Sequence, residues 1–126
     1  MNNLTNKRNN DMNYDNQLTI EQAIKVLEKY DPATKVKYGW GVGSAHSYRG
    51  YYSDLGLEPK YNVTVNEMLQ ELKHSRGLTF TGWNGGEFGM YDGTLIWFAK
   101  EGHSNAEGEI TESMIKAMIS GEIFPT

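Results

Sequence analysis

Apolar residues recur at helical spacing in three stretches of this chain, and the segments between them alternate as strands do. The first helix opens at Thr19, which with Gln22 three residues on makes a capping box. Ile20, Ala23, Ile24, Leu27 and Tyr30 share one face before Pro32 ends the element. Lys35 to Trp40 follows as a strand, with Val36, Tyr38 and Trp40 on one side and two lysines on the other. Gly41 to Ser44 reads as a glycine-rich turn. The aromatic run His46 to Tyr52 reads as a second strand, continued by Leu55 and Leu57 past an irregularity at Ser53 and Asp54, and closed by Pro59. Thr64 and Glu67 form a second capping box, and Val65, Met68, Leu69 and Leu72 mark the buried stripe of a helix running to Gly77.

The second half predicts a meander of strands, Leu78 to Trp83, Glu87 to Tyr91 and Thr94 to Lys100, joined by Asn84-Gly85 and Asp92-Gly93, both favoured pairs for tight hairpin turns. The last strand, T-L-I-W-F-A-K, is apolar on both faces and so belongs inside the sheet. A polar loop, Glu101 to Glu109, leads to a third helix. Thr111 is its N-cap, Met114, Ile115, Met118 and Ile119 form its apolar stripe, and Gly121 stops it, with Ile123 and Phe124 docking the chain end. Residues 1–17 are rich in Asn and Asp, lack the apolar groups to offset the entropy of ordering, and read as a disordered tail before one domain spanning 18–126. The expected class is α+β: an antiparallel sheet of about four to five strands with two to three helices packed on it.

Composition narrows the function. A chain of 126 residues holds one domain, and 16 acidic against 12 basic residues, with no run of Lys or Arg, disfavour tracking along a nucleic-acid polymer. The absence of cysteine excludes disulfides and thiolate metal sites, and no apolar run is long enough for a membrane-spanning helix. The first residues carry no apolar signal core, so the expected location is the cytoplasm, and the sequons at Asn3 and Asn62 are coincidences of composition.

Candidate chemistry concentrates in two segments. Trp40 to Pro59, W-G-V-G-S-A-H-S-Y-R-G-Y-Y-S-D-L-G-L-E-P, sets one arginine among tyrosines in glycine-softened backbone. The Arg49 guanidinium can fork onto phosphate oxygens while Tyr48, Tyr51 or Tyr52 stacks on a base; the same residues also suit an ordinary amphipathic strand. In Phe80 to Asp92, F-T-G-W-N-G-G-E-F-G-M-Y-D, Asn84 offers donors and acceptors to a base edge or ribose, although Asn-Gly is equally a turn. Trp83 points opposite to Phe80 and is free for a ligand or a partner, whereas Trp97 reads as core. His46, His74 and His103 lie far apart without metal-ligand spacing, and His74 suits the dipole at a helix end. Gly39, Gly41 and Gly43 do not match a dinucleotide-binding fingerprint, and there is no phosphate-binding Walker loop or nucleophile elbow. No catalytic residue, metal or cofactor is expected.

Taken together, H-S-Y-R-G-Y-Y-S-D-L-G-L-E-P, N-V-T-V-N-E-M-L and T-F-T-G-W-N-G-G-E-F resemble the first type of the phage Thoeris anti-defence family, over roughly residues 19 to 103. The resemblance implies a small homo-oligomeric sponge in the cytoplasm of the host bacterium. Such a protein holds cyclic ADP-ribose signals made by TIR-domain enzymes, especially the glycocyclic isomers, without cleaving them, and so blocks the downstream effector. It aligns Arg49 with the family's ligand-holding arginine, Asn84 with a ligand-contacting asparagine, and Asp92 with an acidic contact, although the turn around Asp92 is shorter than the family pattern. In that family two-fold related protomers build the pockets together. The segment after His103 lies outside the comparable part.

The binding set expected from residues and resemblance together is Arg49, Asn84, Tyr48, Tyr51, Trp83 and Asp92. Cyclic di- and trinucleotides present the same bases and phosphates and stay open as ligands. Two rivals also stay open: a protein-binding inhibitor whose Tyr, Trp and Arg groups form an interface hot spot, and an enzyme cleaving the signal with Glu87 or Asp92 as acid or base.

Overall fold

Both capping boxes form. The Gln22 amide donates to Thr19 Oγ1 at 3.2 Å and the Thr19 amide to Gln22 Oε1 at 3.0 Å, starting α1 (Ile20–Leu27). Thr64 and Glu67 exchange the same two bonds, at 2.8 and 3.1 Å, to start α2 (Val65–Ser75). Thr111 Oγ1 accepts from the Met114 amide at 3.1 Å at the head of α3 (Glu112–Ser120), and Gly121 ends that helix with a left-handed φ of 81°. Each cap satisfies amides that have no partner inside the helix. The computed structural model describes residues 16–82, 84–99 and 108–122. Within them the strands are β1 (Lys35–Ser47), β2 (Leu55–Thr64), β3 (Thr79–Thr81), β4 (Glu87–Gly89) and β5 (Ile96–Phe98).

The architecture is α+β, with the five strands divided between a three-stranded sheet, ordered β1-β2-β5, and the separate pair β3-β4. The helices bury Ile20, Leu27, Met68, Leu72, Ile115 and Met118 against Val36, Trp40, Leu55, Leu57 and Ile96 of the larger sheet. Trp40 is fully buried, and its Nε1 donates to the Met68 carbonyl at 2.9 Å, fixing α2 across the sheet. No helix among the described residues is long and apolar enough to cross a membrane.

Three local expectations are corrected. Gly41 to Ser44 is no hairpin turn: β1 runs through it, and the register against β2 shifts between Trp40 and Ala45. Side chains take up the amides freed there, Gly41 N donating to Ser44 Oγ at 3.0 Å and Ala45 N to the buried Glu71 carboxylate at 2.8 Å. The bulge thus stays inside the strand. The hairpin closes at Tyr48 to Asp54, so the aromatic run is a loop, and Leu55 and Leu57 begin the return strand. That strand passes through Pro59 to Thr64 instead of stopping at Pro59. Pro59 lies opposite Trp40 on a stretch of β2 beyond its pairing with β5, where a missing N–H is tolerated.

The expected meander also breaks up. Thr79 to Thr81 and Glu87 to Gly89 pair as a hairpin, but β5 leaves them to pair parallel with β2. The first amides of α1 explain the detour: Glu21 N donates to the Asp92 carbonyl at 3.1 Å and Ile20 N to the Thr94 carbonyl at 2.9 Å, holding this turn against the helix start. β5 lies at the end of the strand order, yet its outer side is covered. Ile96 N donates to the Leu18 carbonyl at 3.1 Å, and Ile110 N and Gln17 Nε2 both donate to the Ile96 carbonyl. Gln17 therefore belongs to the fold, not to the preceding tail; residues 1–15 of that tail, Ile123 and Phe124 lie outside the described residues.

Candidate functional site

The loop from Tyr48 to Asp54 is tied at several points. Tyr48 N donates to the Asp54 carbonyl at 2.9 Å, Asp54 N to the Tyr51 carbonyl at 2.7 Å, and Ser47 Oγ to the Tyr52 carbonyl at 2.6 Å. This folding turns the Tyr48 ring inward, 1% exposed, onto Trp97, with centroids 4.3 Å apart and planes within 6°. Tyr51 lies nearly parallel to both rings, at 6.5 Å from Tyr48 and 5.9 Å from Trp97, but is 61% exposed. Trp97 Nε1 donates to Asp54 Oδ2 at 2.8 Å and so ties the loop to β5. Tyr48, Trp97 and Ala99 form a cluster of their own, apart from the aliphatic core. Stacked aromatic pairs contribute roughly 0.5–1.5 kcal/mol beyond their burial.

Tyr52 leaves this stack and lies on Phe88, at 5.6 Å and 25°. Gly82 makes room for the contact: a Cβ there would come within 2.8 Å of the Phe88 ring and 3.2 Å of Tyr52. The two segments singled out in the sequence therefore adjoin at this point. Asn84 stands exposed at the tip of the β3-β4 hairpin, which Gly82 N closes by donating to the Gly86 carbonyl at 2.6 Å. Arg49 is partly buried on the aromatic loop and is engaged within the protein. Asp92 is exposed on the following turn, 3.4 Å from Arg76 Nη1. Trp83 lies outside the described residues.

Tyr48, Arg49 and Tyr51 thus share one loop, with Asn84 on the neighbouring hairpin. The expectation for Tyr48 is corrected. It is the buried support of the stack, and Tyr51 is the ring turned to solvent. Two residues outside the expected binding set adjoin this loop. Trp97 is buried, as its doubly apolar strand implied, and Asp54 lies at the irregularity after the aromatic run. The bond between them joins distant parts of the chain, which spacing alone does not reveal.

Beside the stack, between the loop and the 89–95 segment, lies an open cleft of about 400 Å³ whose lining includes Ser53, Asp54, Tyr91, Thr94 and Leu95. A somewhat larger hollow, about 480 Å³, lies along β1 and β2 and includes Lys35, Lys37, Asn62 and Thr64 in its lining. Its described lining offers charge without an aromatic ring, whereas the loop end presents the exposed Tyr51 to a ligand with a base. His46 Nδ1 lies 3.0 Å from the Ser44 carbonyl, and its Nε2 is buried near Gly56. Among the described residues no group of His, Asp and Glu is arranged to hold a metal ion. Glu87 and Asp92, the carboxylates of the enzyme reading, are both exposed.

No protein-family model matches this chain, and no curated protein or solved structure shows significant similarity to it.

Proposed function

We propose that this protein is a non-catalytic sponge for cyclic ADP-ribose-type signals, gripping the base on Tyr51 and the pyrophosphate through Arg49, with Asn84 reading polar groups from the adjoining hairpin. The observation that carries the reading is the three-ring stack of Tyr48, Trp97 and Tyr51, which supports an exposed aromatic face on the loop bearing the arginine. A rigid platform of this kind lowers the entropy lost on binding. Sequestration needs tight equilibrium binding and slow release, not turnover. In this reading the protein acts as a homo-oligomer in the cytoplasm of the infected bacterium, and the signal is withheld from its effector. Cyclic di- and trinucleotides are the neighbouring ligand class.

The test is thermal melting with cyclic ADP-ribose isomers and cyclic di- and trinucleotides, each beside linear ADP-ribose. A ligand at a hundredfold excess over its dissociation constant adds about 2.7 kcal/mol, a visible shift for a domain of this size. Arg49→Ala is expected to abolish the shift while circular dichroism stays native, because ligand charge is left uncompensated. Asn84→Ala is expected to weaken it less. Two unaltered variants would remove both residues from the site.

Tyr51 and Tyr91, 61% and 68% exposed, favour a second reading, a protein-binding inhibitor, since exposed aromatics also form interface hot spots. That reading expects co-purification with a host protein and no response to nucleotides.

A further inference from the structure

The cleft beside the stack differs in chemistry from the arginine on the loop. Among the described residues its lining includes no lysine or arginine, and the charged group there is the partly buried Asp54. Asp54 is immobilised through three groups: its amide donates to the Tyr51 carbonyl, its carbonyl accepts from the Tyr48 amide, and its Oδ2 accepts from the Trp97 indole. Among the described residues its carboxylate bonds through Oδ2 alone, and the same residue lines the cleft. Ser53 adds a hydroxyl at the same rim, Tyr91 an exposed ring, and Leu95 an apolar wall. A fixed carboxylate in a cleft whose described lining carries no cation repels phosphate and selects a hydrogen-bond donor.

The donor must lie within a few ångströms of an aromatic platform, because Asp54 is bonded to the very indole on which the tyrosines stack. In a nucleotide, the neutral donor groups next to the base are the sugar hydroxyls. We propose that Asp54 is a specificity-determining residue that accepts hydrogen bonds from ribose hydroxyls of the bound nucleotide, orienting it with sugar in the cleft and phosphates away from it. This rests on the sponge reading and adds the polarity of binding. Asp92, on the turn that forms the far side of the cleft, is ion-paired with Arg76 and has no place in this contact.

The test compares cyclic ADP-ribose with its 2′-deoxy and 3′-deoxy analogues, measured by calorimetric titration against wild type and Asp54→Asn. The asparagine keeps an oxygen for the Trp97 indole but replaces the other carboxylate oxygen with an amide donor. Wild type is expected to bind at least one deoxy analogue ten- to a hundredfold more weakly, since a site built around a hydroxyl rejects a ligand lacking it. Asp54→Asn is expected to bind cyclic ADP-ribose about tenfold more weakly and to lose that discrimination. Equal binding of all three compounds by wild type, or undiminished discrimination in the variant, overturns this inference and leaves the sponge reading standing. A wild type that binds none of the three overturns this inference; if the wider nucleotide panel also fails, the sponge reading falls with it. The wild-type comparison of ligands needs no variant, so a folding defect in Asp54→Asn cannot obscure it.

Discussion

Trp40 and Trp97 are both buried indoles on strands of one sheet, and they are held in different ways. Trp40 is fully buried among aliphatic side chains and donates to a helix carbonyl. Trp97 retains 7% exposure, stacks on two tyrosines of a loop, and donates to that loop's carboxylate. The partners of Trp40 belong to the core cluster to which all three helices contribute. Those of Trp97 end in Tyr51, whose ring is mostly in solvent. One tryptophan anchors a core; the other anchors a surface, and a ligand on Tyr51 would be felt at Trp97.

Truncating the two indoles' neighbourhoods should separate these roles. Trp40→Ala is expected to lower stability by about 3–5 kcal/mol, because the cavity cannot collapse beneath α2, and urea unfolding measures it. Trp97→Phe keeps a ring in the stack but strips Asp54 of its donor. The expected loss is about 1.5 kcal/mol, the lower end for a bond to a charged group at a half-buried site, together with weaker nucleotide binding. A Trp97→Phe protein that loses stability but binds normally would make this tryptophan merely structural. Tyr51→Ala sharpens the contrast in the opposite direction. Stability should fall by only about 0.5–1.5 kcal/mol, the order of a stacked aromatic pair, while the ligand-induced melting shift disappears.

The smallest effect concerns a third aromatic group, belonging to neither environment. Tyr38 is half-buried between Tyr61, at 5.1 Å, and Phe98, at 5.6 Å. Burial, and secondarily repulsion from Tyr61, raise its pKa above the ordinary 10.0. The folded state therefore keeps the proton longer than the unfolded chain. The corresponding stability is fully present below pH 10.0 and is lost as pH rises from there through the raised value. Urea midpoints measured across that range should fall less steeply in Tyr38→Phe than in wild type.

How far the sequence revealed this molecule depended on the range of the interactions concerned. Thr19, Thr64 and Thr111 announce their helices because a cap and its amide lie three residues apart, and the stripes behind them need only helical periodicity. The α+β class followed from those elements. Strand pairing did not, because alternation is equally compatible with any partner. Nothing local in W-G-V-G-S distinguishes a turn from a bulge whose amide is taken by Glu71 on a distant helix. Nor does T-L-I-W-F-A-K disclose a parallel neighbour. In the candidate site, Arg49 and Tyr51 were visible as residue types on a glycine-softened segment. The inward turn of Tyr48 and the bond between Trp97 and Asp54 depend on contacts between remote segments and could not be read from spacing.

The central claim is retention without cleavage. Its most direct measurement is to incubate the protein with cyclic ADP-ribose isomers, remove free compound by gel filtration, release what is bound by boiling, and identify it by mass spectrometry. The account predicts one isomer recovered intact, in amounts that Tyr51→Ala and Arg49→Ala sharply reduce. Recovery of linear ADP-ribose or another cleavage product would contradict it, as would no retained nucleotide of any kind.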